Sequence, residues 1–158
     1  DHALHPGLVT LVLVVLTAAV LVAVARPLAR RLQANEARRA IEQFRIRREQ
    51  LEAKFFELAS TLGKPRDVVW KQCDWQPDVT FARERATGLL TAFVSVNVSF
   101  EAMAGGEMEE VQHVGLLRDG CALFHYQSGD WGTGGRVVFN MNPREALTRF
   151  AQQYDAIG

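Results

Sequence analysis

The stretch that decides the fold is Leu90–Ala102, LTAFVSVNVSFEA, because apolar and polar residues alternate along nearly its whole length. Residues 90, 92, 94, 96, 98, 100 and 102 are all apolar and fall on one side of an extended chain. The residues between them are polar, apart from Phe93. A strand of this length with one polar face is typical of an antiparallel sheet that is open to water on that side. We therefore predict a long strand that curves around a helix.

Shorter strands are predicted on both sides of this one, at Val68–Cys73, Val79–Glu84, Val111–Arg118, Cys121–Gln127 and Arg136–Met141. The pair Asp119-Gly120 favours a tight turn, which predicts a hairpin between two of these strands. Asn142-Pro143-Arg144-Glu145 then predicts the start of a C-terminal helix, with Asn142 as the N-cap and Glu145 completing a capping box.

A second helix is predicted before the strands, from Ala34 to Leu62. Its apolar stripe advances in alternating steps of four and three residues, and Arg48 is the only charged member of the series Ala37, Ile41, Phe44, Arg48, Leu51, Phe55, Leu58 and Leu62. Gly63 and Pro65 end it. The stripe fits two uses, a coiled-coil seam for a homodimer or partner helix, and a cover for the sheet. We expect Phe55 and its C-terminal neighbours to pack on the sheet, and residues 37–48 to form a stalk at the membrane surface.

The order of elements predicts an α+β domain with its helices on one face of a curved antiparallel sheet of about six strands. This arrangement is similar to cystatin-like and NTF2-like folds, in which a curved sheet wraps a helix. The likeness is one of architecture, and it implies no functional residue for this chain.

An apolar segment precedes the linker helix. Residues 6–25, PGLVTLVLVVLTAAVLVAVA, carry no charge, and a helix of about 20 residues spans the roughly 30 Å of a bilayer core. We predict a transmembrane anchor with Leu8, Val12, Leu16, Val20 and Val24 among its lipid-facing residues. The alternative is a cleaved signal peptide, for which Ala23-Val24-Ala25 is a suitable cleavage pattern. Against it stand the length of the apolar run and the absence of a basic stretch before it.

Basic residues follow the apolar segment. Arg26, Arg30 and Arg31 are predicted to contact lipid headgroups, and their position places the C-terminal domain in the cytoplasm with the N-terminus outside. The domain division is then residues 1–26 for the anchor, 27–63 for the linker helix, which Pro27 kinks or restarts, and 64–158 for the soluble domain.

The charge distribution excludes a globally basic nucleic-acid binder. Residues 26–54 hold nine basic and four acidic side chains, whereas residues 55–158 hold nine basic and thirteen acidic ones. Cys73 and Cys121 lie far apart in apolar stretches, so two core thiols are favoured over one disulfide.

Few residues indicate chemistry. His113 and His125 would face each other across the predicted hairpin, and a metal site would need a third ligand such as Glu110 or Asp130. Packing of two strand histidines is the simpler interpretation. No catalytic, cofactor or metal site is predicted, and an enzyme based on His113 and His125 is a minor alternative. Trp131, on a predicted glycine-rich loop, and Ile41 and Phe44 of the linker helix are predicted to form an interaction surface.

These features favour a non-catalytic accessory subunit of a larger integral-membrane complex, for example a respiratory or photosynthetic one in a bacterial inner membrane. Its partners would be the lipid bilayer and integral-membrane subunits, with a homodimer through the linker helix as a further possibility. The alternative function is a membrane-tethered domain that binds a small ligand on the concave face of its sheet.

Overall fold

The fold is α+β, with one long N-terminal helix, an antiparallel six-stranded sheet and a small C-terminal helix. The computed structural model describes residues 5–62, 68–102 and 117–157. In chain order the elements are α1 (Pro6–Leu62), β1 (Val68–Glu84), β2 (Leu90–Ala102), β3 (Leu117–Gln127), β4 (Asp130–Gly132), β5 (Val137–Phe139), α2 (Pro143–Arg149) and β6 (Tyr154–Ile157). The strand order is β4-β3-β2-β1-β6, and β5 pairs with β3 beside β4.

The first helix is longer than either helix predicted from the sequence. It runs without a break through Pro27, so the predicted restart at this residue is wrong, whereas the kink stays a prediction. Two compact units meet within it, between Arg39 and Ala40. The segment from Ala40 to Leu62 belongs to the same unit as the sheet. The predicted division into residues 1–26, 27–63 and 64–158 remains a prediction.

The C-terminal part of α1 covers one face of the sheet. Phe44 and Phe55 are buried, and both rings contact Phe124 of β3, at centroid distances of 5.5 and 5.7 Å. Phe44 also packs edge-on against Phe81 and Trp131. The expected packing of Phe55 on the sheet is confirmed. The packed part begins earlier than expected, however, because Ala40 and Phe44 belong to the core and not to a stalk.

The opposite face of the sheet is covered by α2, and Tyr154 of the edge strand β6 adds its side chain to this face. Neighbouring residues of a strand point to opposite faces, so Ala82 and Leu123 lie on the other side from Phe81 and Phe124. They form a second core with Phe93, Cys121, Met141, Ala146 and Tyr154. The prediction that both helices cover one face is therefore wrong. The polar side of β2 is also less open to water than predicted, because Thr91 and Phe93 are fully buried.

One predicted turn is wrong and another is confirmed. Asp119-Gly120 is not a hairpin turn but lies inside β3, where the two residues pair with Asn97 and Val96 of β2. A Cβ atom at position 120 would lie 2.8 Å from the carbonyl oxygen of Val138, so glycine is needed here for the close approach of β5. Ser128-Gly129-Asp130, which also predicts a turn, does turn the chain from β3 into β4, and Ser128 and Gly129 have positive φ.

The capping box is confirmed, whereas two of the predicted strands are joined into one. Asn142 caps α2, with its side chain accepting from the backbone N–H of Glu145 and the Glu145 carboxylate accepting from the N–H of Asn142. The two strands predicted between residues 68 and 84 are one strand, β1, with a bulge between Trp75 and Val79. The first half of the predicted hairpin, Val111–Arg118, lies mostly outside the described residues.

Candidate functional site

The predicted anchor residues are exposed along the first part of α1. Between 49 % and 61 % of the surface of each side chain is accessible at Leu8, Val12, Leu16, Val20 and Val24. No other segment of the first unit covers these side chains. The hydroxyl groups of Thr10 and Thr17 donate hydrogen bonds to the backbone carbonyl oxygens of Pro6 and Leu13, at oxygen–oxygen distances of 2.9 and 2.6 Å. A polar hydroxyl is thereby satisfied within the helix, as a lipid environment requires.

The length and composition of this segment allow it to cross a membrane. Among the described residues α1 is the one helix that is both long enough and apolar enough to do so. Its apolar stretch is not buried by the rest of the protein. Arg26, Arg30 and Arg31 directly follow that window and are exposed. An uncovered apolar surface of this extent is otherwise rare on a soluble protein.

The predicted interaction surface divides into buried and accessible residues. Phe44 is 1 % and Trp131 is 3 % exposed, and their rings are 5.1 Å apart. The indole Nε1 of Trp131 donates to the carbonyl oxygen of Ala40 at 2.6 Å. Both side chains lie inside the sheet unit, so the prediction that they belong to an interaction surface is wrong. Ile41 is half-buried and stays a predicted contact.

Charged residues hold β4 against α1. Asp130 pairs with the guanidinium of Arg47, and its Oδ1 also accepts from Gln43 at 3.3 Å. Arg48, the charged residue of the apolar stripe, is half-buried between Glu52 and the carbonyl oxygen of Gln76. The interruption of the stripe is thus explained, since the guanidinium satisfies a backbone acceptor at the bulge of β1.

A polar cluster surrounds His125 on the other face of the sheet. Thr91, which is fully buried, places its Oγ1 3.2 Å from Nδ1 of His125, and Tyr154 is buried on the same face of the sheet. Burial lowers the pKa of His125 below its ordinary value, partly opposed by Glu84 and reinforced by Arg136. Burial and Glu84 raise the pKa of Tyr154. Both side chains are therefore favoured in their neutral forms.

His125 also lines a pocket of about 410 Å³ beside β4. The other lining residues are Gln127, Asp130, Trp131, Gly132, Thr133 and Gly134. After β4 the chain stops pairing with β3, and the hydroxyl of Thr133 donates a hydrogen bond to the carbonyl oxygen of Leu123 at 2.8 Å. Strand pairing with β3 resumes at β5. The pocket was not predicted, because the predicted turn at Asp119-Gly120 displaced the register of this edge.

The predicted histidine pair is not formed by a hairpin at Asp119-Gly120. Because β3 continues through those residues, the register that would bring the two histidines together does not exist. His113, like Glu110, lies outside the described residues. Within residues 5–62, 68–102 and 117–157, no three His, Cys, Asp or Glu side chains are grouped to hold a metal ion.

The two thiols are free and lie on opposite faces of the sheet. Cys121 is buried in the second core, whereas Cys73 is half-buried and pairs with Val98, on the face toward α1. Burial raises the pKa of each thiol to about 12, with acidic neighbours adding to the effect. Neutral thiols are poor nucleophiles, which agrees with the prediction of packing residues.

Comparison of the chain with protein-family models, with curated proteins and with solved structures found no match in any of the three.

Proposed function

We propose that this chain is a non-catalytic, single-pass accessory subunit of a larger integral-membrane complex. The observation that carries the proposal is the apolar, charge-free segment at residues 6–25, whose large side chains are exposed on α1. Exposed Leu and Val surfaces over this length need lipid or other transmembrane helices around them. Complexes of respiration or photosynthesis are examples of such assemblies.

The proposed orientation rests on the arginines. The segment from Arg26 to Arg39 contains five arginines and one glutamate, while the residues before the apolar segment contain no Lys or Arg. The positive-inside rule then places the sheet unit in the cytoplasm of a bacterial cell, with the N-terminus outside.

The sheet unit itself supports a role in assembly better than one in catalysis or ligand storage. Both faces of its sheet are filled by its own side chains, with Phe44 and Phe55 on one face and the core around Phe93 on the other. The alternative of a ligand on the concave face would require that Phe44 and Phe55 leave it. A homodimer through the linker helix would need the same apolar side chains at its interface, and Phe44 and Phe55 are already buried against the sheet. A cystatin-like or NTF2-like arrangement remains a prediction, supported by α1 lying on one face.

The experiment is native electrophoresis of membranes solubilised in mild detergent, with the chain at its natural abundance. We expect the chain to migrate with a larger assembly, whereas migration as a free monomer would contradict the proposal. Leu16→Arg should remove the chain from the membrane fraction, because an arginine at the centre of a span costs about 3 kcal/mol. Leu16→Ile is the matched control and should behave as the unchanged chain.

Sidedness is tested separately by adding protease outside intact cells. The sheet unit should be protected until the inner membrane is opened. Digestion of the sheet unit in intact spheroplasts would contradict the proposed orientation, although the proposed anchor would still stand.

A further inference from the structure

The pocket beside β4 has walls that are polar but nearly without net charge. Asp130 is paired with Arg47, and His125 is favoured as the neutral imidazole between Glu84 and Arg136. Among the described residues, neither the second ring nitrogen of His125, Nε2, nor the carboxamide of Gln127 has a hydrogen-bond partner. The pocket therefore offers two unused polar groups and no unpaired charge to attract an ion.

The imidazole of His125 is held in place through its Nδ1 atom, which faces Thr91. Thr91 lies 3.2 Å from Nδ1 of His125, and on the same face of the sheet the ring of Tyr154 packs edge-on against Phe93 at 5.1 Å. Such support fixes the ring orientation before any ligand arrives, which reduces the entropy lost on binding.

The floor of the pocket is glycine. A Cβ atom at Gly132 or Gly134 would have no other atom within 4 Å, so the backbone lies open to an incoming group. A flat group can approach the main chain here more closely than a side chain would allow. The unpaired segment between β4 and β5, where the edge of the sheet is interrupted, provides the space.

We propose that this pocket binds an uncharged amide group. A carboxamide such as that of Gln127 presents one acceptor and two donors, so it can donate to the carbonyl oxygen of an amide or accept from the N–H of an amide. The Nε2 of His125 accepts in one tautomer and donates in the other, and an amide satisfies either. The one charged lining residue, Asp130, is already paired with Arg47, so the lining has no unpaired charge to hold an ion.

Two sources could supply this amide: the main chain of a partner protein or a small amide compound. The pocket adjoins β4, the terminal strand of the sheet, so an extended peptide can reach it from solvent. The inference is independent of the proposed membrane function, since it concerns only residues of the sheet unit.

The test is an NMR titration of the ¹⁵N-labelled full chain in detergent micelles with N-methylacetamide as the probe. Saturable shifts are expected at His125, Gln127 and Gly134. Acetate and methylammonium, which have similar size but carry charge, should give no saturable shift at these residues. Equal binding of either ion, or no binding of N-methylacetamide, would overturn the proposal.

Gly134→Leu supplies the matched variant. Its side chain enters open space, so the fold should be retained, while the pocket is filled and affinity for the probe falls at least about tenfold. Ala86→Leu adds the same side chain in an exposed turn and should bind as the unchanged chain does. Undiminished binding by Gly134→Leu, in a spectrum that shows the native fold, would place the probe elsewhere and refute the site.

A blocked triglycine peptide distinguishes the two sources. If it binds at least about tenfold more tightly than N-methylacetamide, contacts extend along a peptide and the ligand is a polypeptide segment. If it binds no more tightly, a small amide is the ligand.

Discussion

At the scale of single residues, Phe55 contributes to the core through three aromatic contacts. Its ring lies 5.4 Å from that of Trp75, 5.7 Å from Phe124 and 6.4 Å from Trp70, and the side chain is fully buried. These neighbours cannot all collapse onto a smaller side chain because Trp70 and Trp75 are held in β1 and Phe124 is held in β3.

We expect Phe55→Ala to lower the free energy of unfolding by about 3–5 kcal/mol, through lost burial and a residual cavity. The measurement is urea denaturation followed by tryptophan fluorescence. Ile46→Ala, at a position of the same helix that is 76 % exposed, is the control and should change stability by less than about 0.5 kcal/mol. Equal losses in the two variants would contradict the assigned burial of α1.

His125 predicts a pH dependence of stability. Its pKa is lowered in the folded chain below the ordinary value of 6.5, mainly by burial, so the unfolded chain binds a proton more readily. Stability is therefore complete above pH 6.5 and falls as the pH drops from 6.5 toward the folded pKa. Below that pKa the loss is constant.

The measurement compares unfolding of the original chain and of His125→Gln at several pH values between 5 and 8. Glutamine keeps a hydrogen-bonding group near Thr91 but does not titrate, so the difference between the two curves isolates this imidazole from the other ionisable groups. A difference that is independent of pH would show that His125 titrates alike in both states.

At the scale of elements, the loop from Gly132 to Gly135 fixes the sheet to α1. Gly135 has φ of +74°, and a Cβ atom there would lie 2.8 Å from the backbone nitrogen of Ala59. Because both the backbone conformation and the space exclude a side chain, we expect Gly135→Ala to destabilise the chain by about 1–3 kcal/mol.

Gly134→Ala is the control for this loop, since its φ is not positive and its added methyl group meets open space. Thermal unfolding of the two variants should separate them by several degrees. A neutral Gly135→Ala together with a neutral Gly134→Ala would mean that the loop does not pack on the helix.

Element prediction from the sequence succeeded where local rules decide the structure. The capping box at Asn142 and the alternation in Leu90–Ala102 are local patterns, and both correspond to the observed elements. Asp119-Gly120 failed because its local preference for a turn is overridden by a tertiary cause, the approach of β5 to Gly120. The strand β6 was missed because its pairing with Phe81–Glu84 links distant parts of the chain.

The candidate site was less predictable than the fold. His125 was noticed in the sequence, but its partner Thr91 lies 34 positions before it, and Tyr154, which is buried on the same face of the sheet, lies 29 positions after it. No spacing rule joins residues that only the sheet register and β6 bring together. Trp131 was taken for a surface residue because the glycines around it indicate a loop, whereas its hydrogen bond to Ala40 can be seen only in the folded chain.

At the scale of the whole molecule, the folding unit extends beyond the predicted soluble domain. The compact unit begins at Ala40, and it includes Phe44 and Phe55, which fill one face of the sheet. The sheet without this helix would expose a large apolar surface to water.

We therefore expect a chain that begins at Ala40 to fold in water, with a cooperative unfolding transition and dispersed NMR signals. A chain that begins at Lys64 should aggregate or remain without fixed tertiary structure. Sedimentation and near-ultraviolet circular dichroism separate these results. A well-folded monomer from the shorter chain would show that the helix is dispensable to the sheet.

The hydrogen bond from Trp131 to Ala40 has a consequence for synthesis on the ribosome. Its two residues are 91 positions apart, so the helix leaves the ribosome long before its covering strands exist. At a translation rate of about 5–20 residues per second, Phe44 and Phe55 wait several seconds for their partners. During that interval the nascent helix has an apolar stripe that its own chain cannot yet cover, and the stripe stays uncovered by the sheet until the last strands arrive.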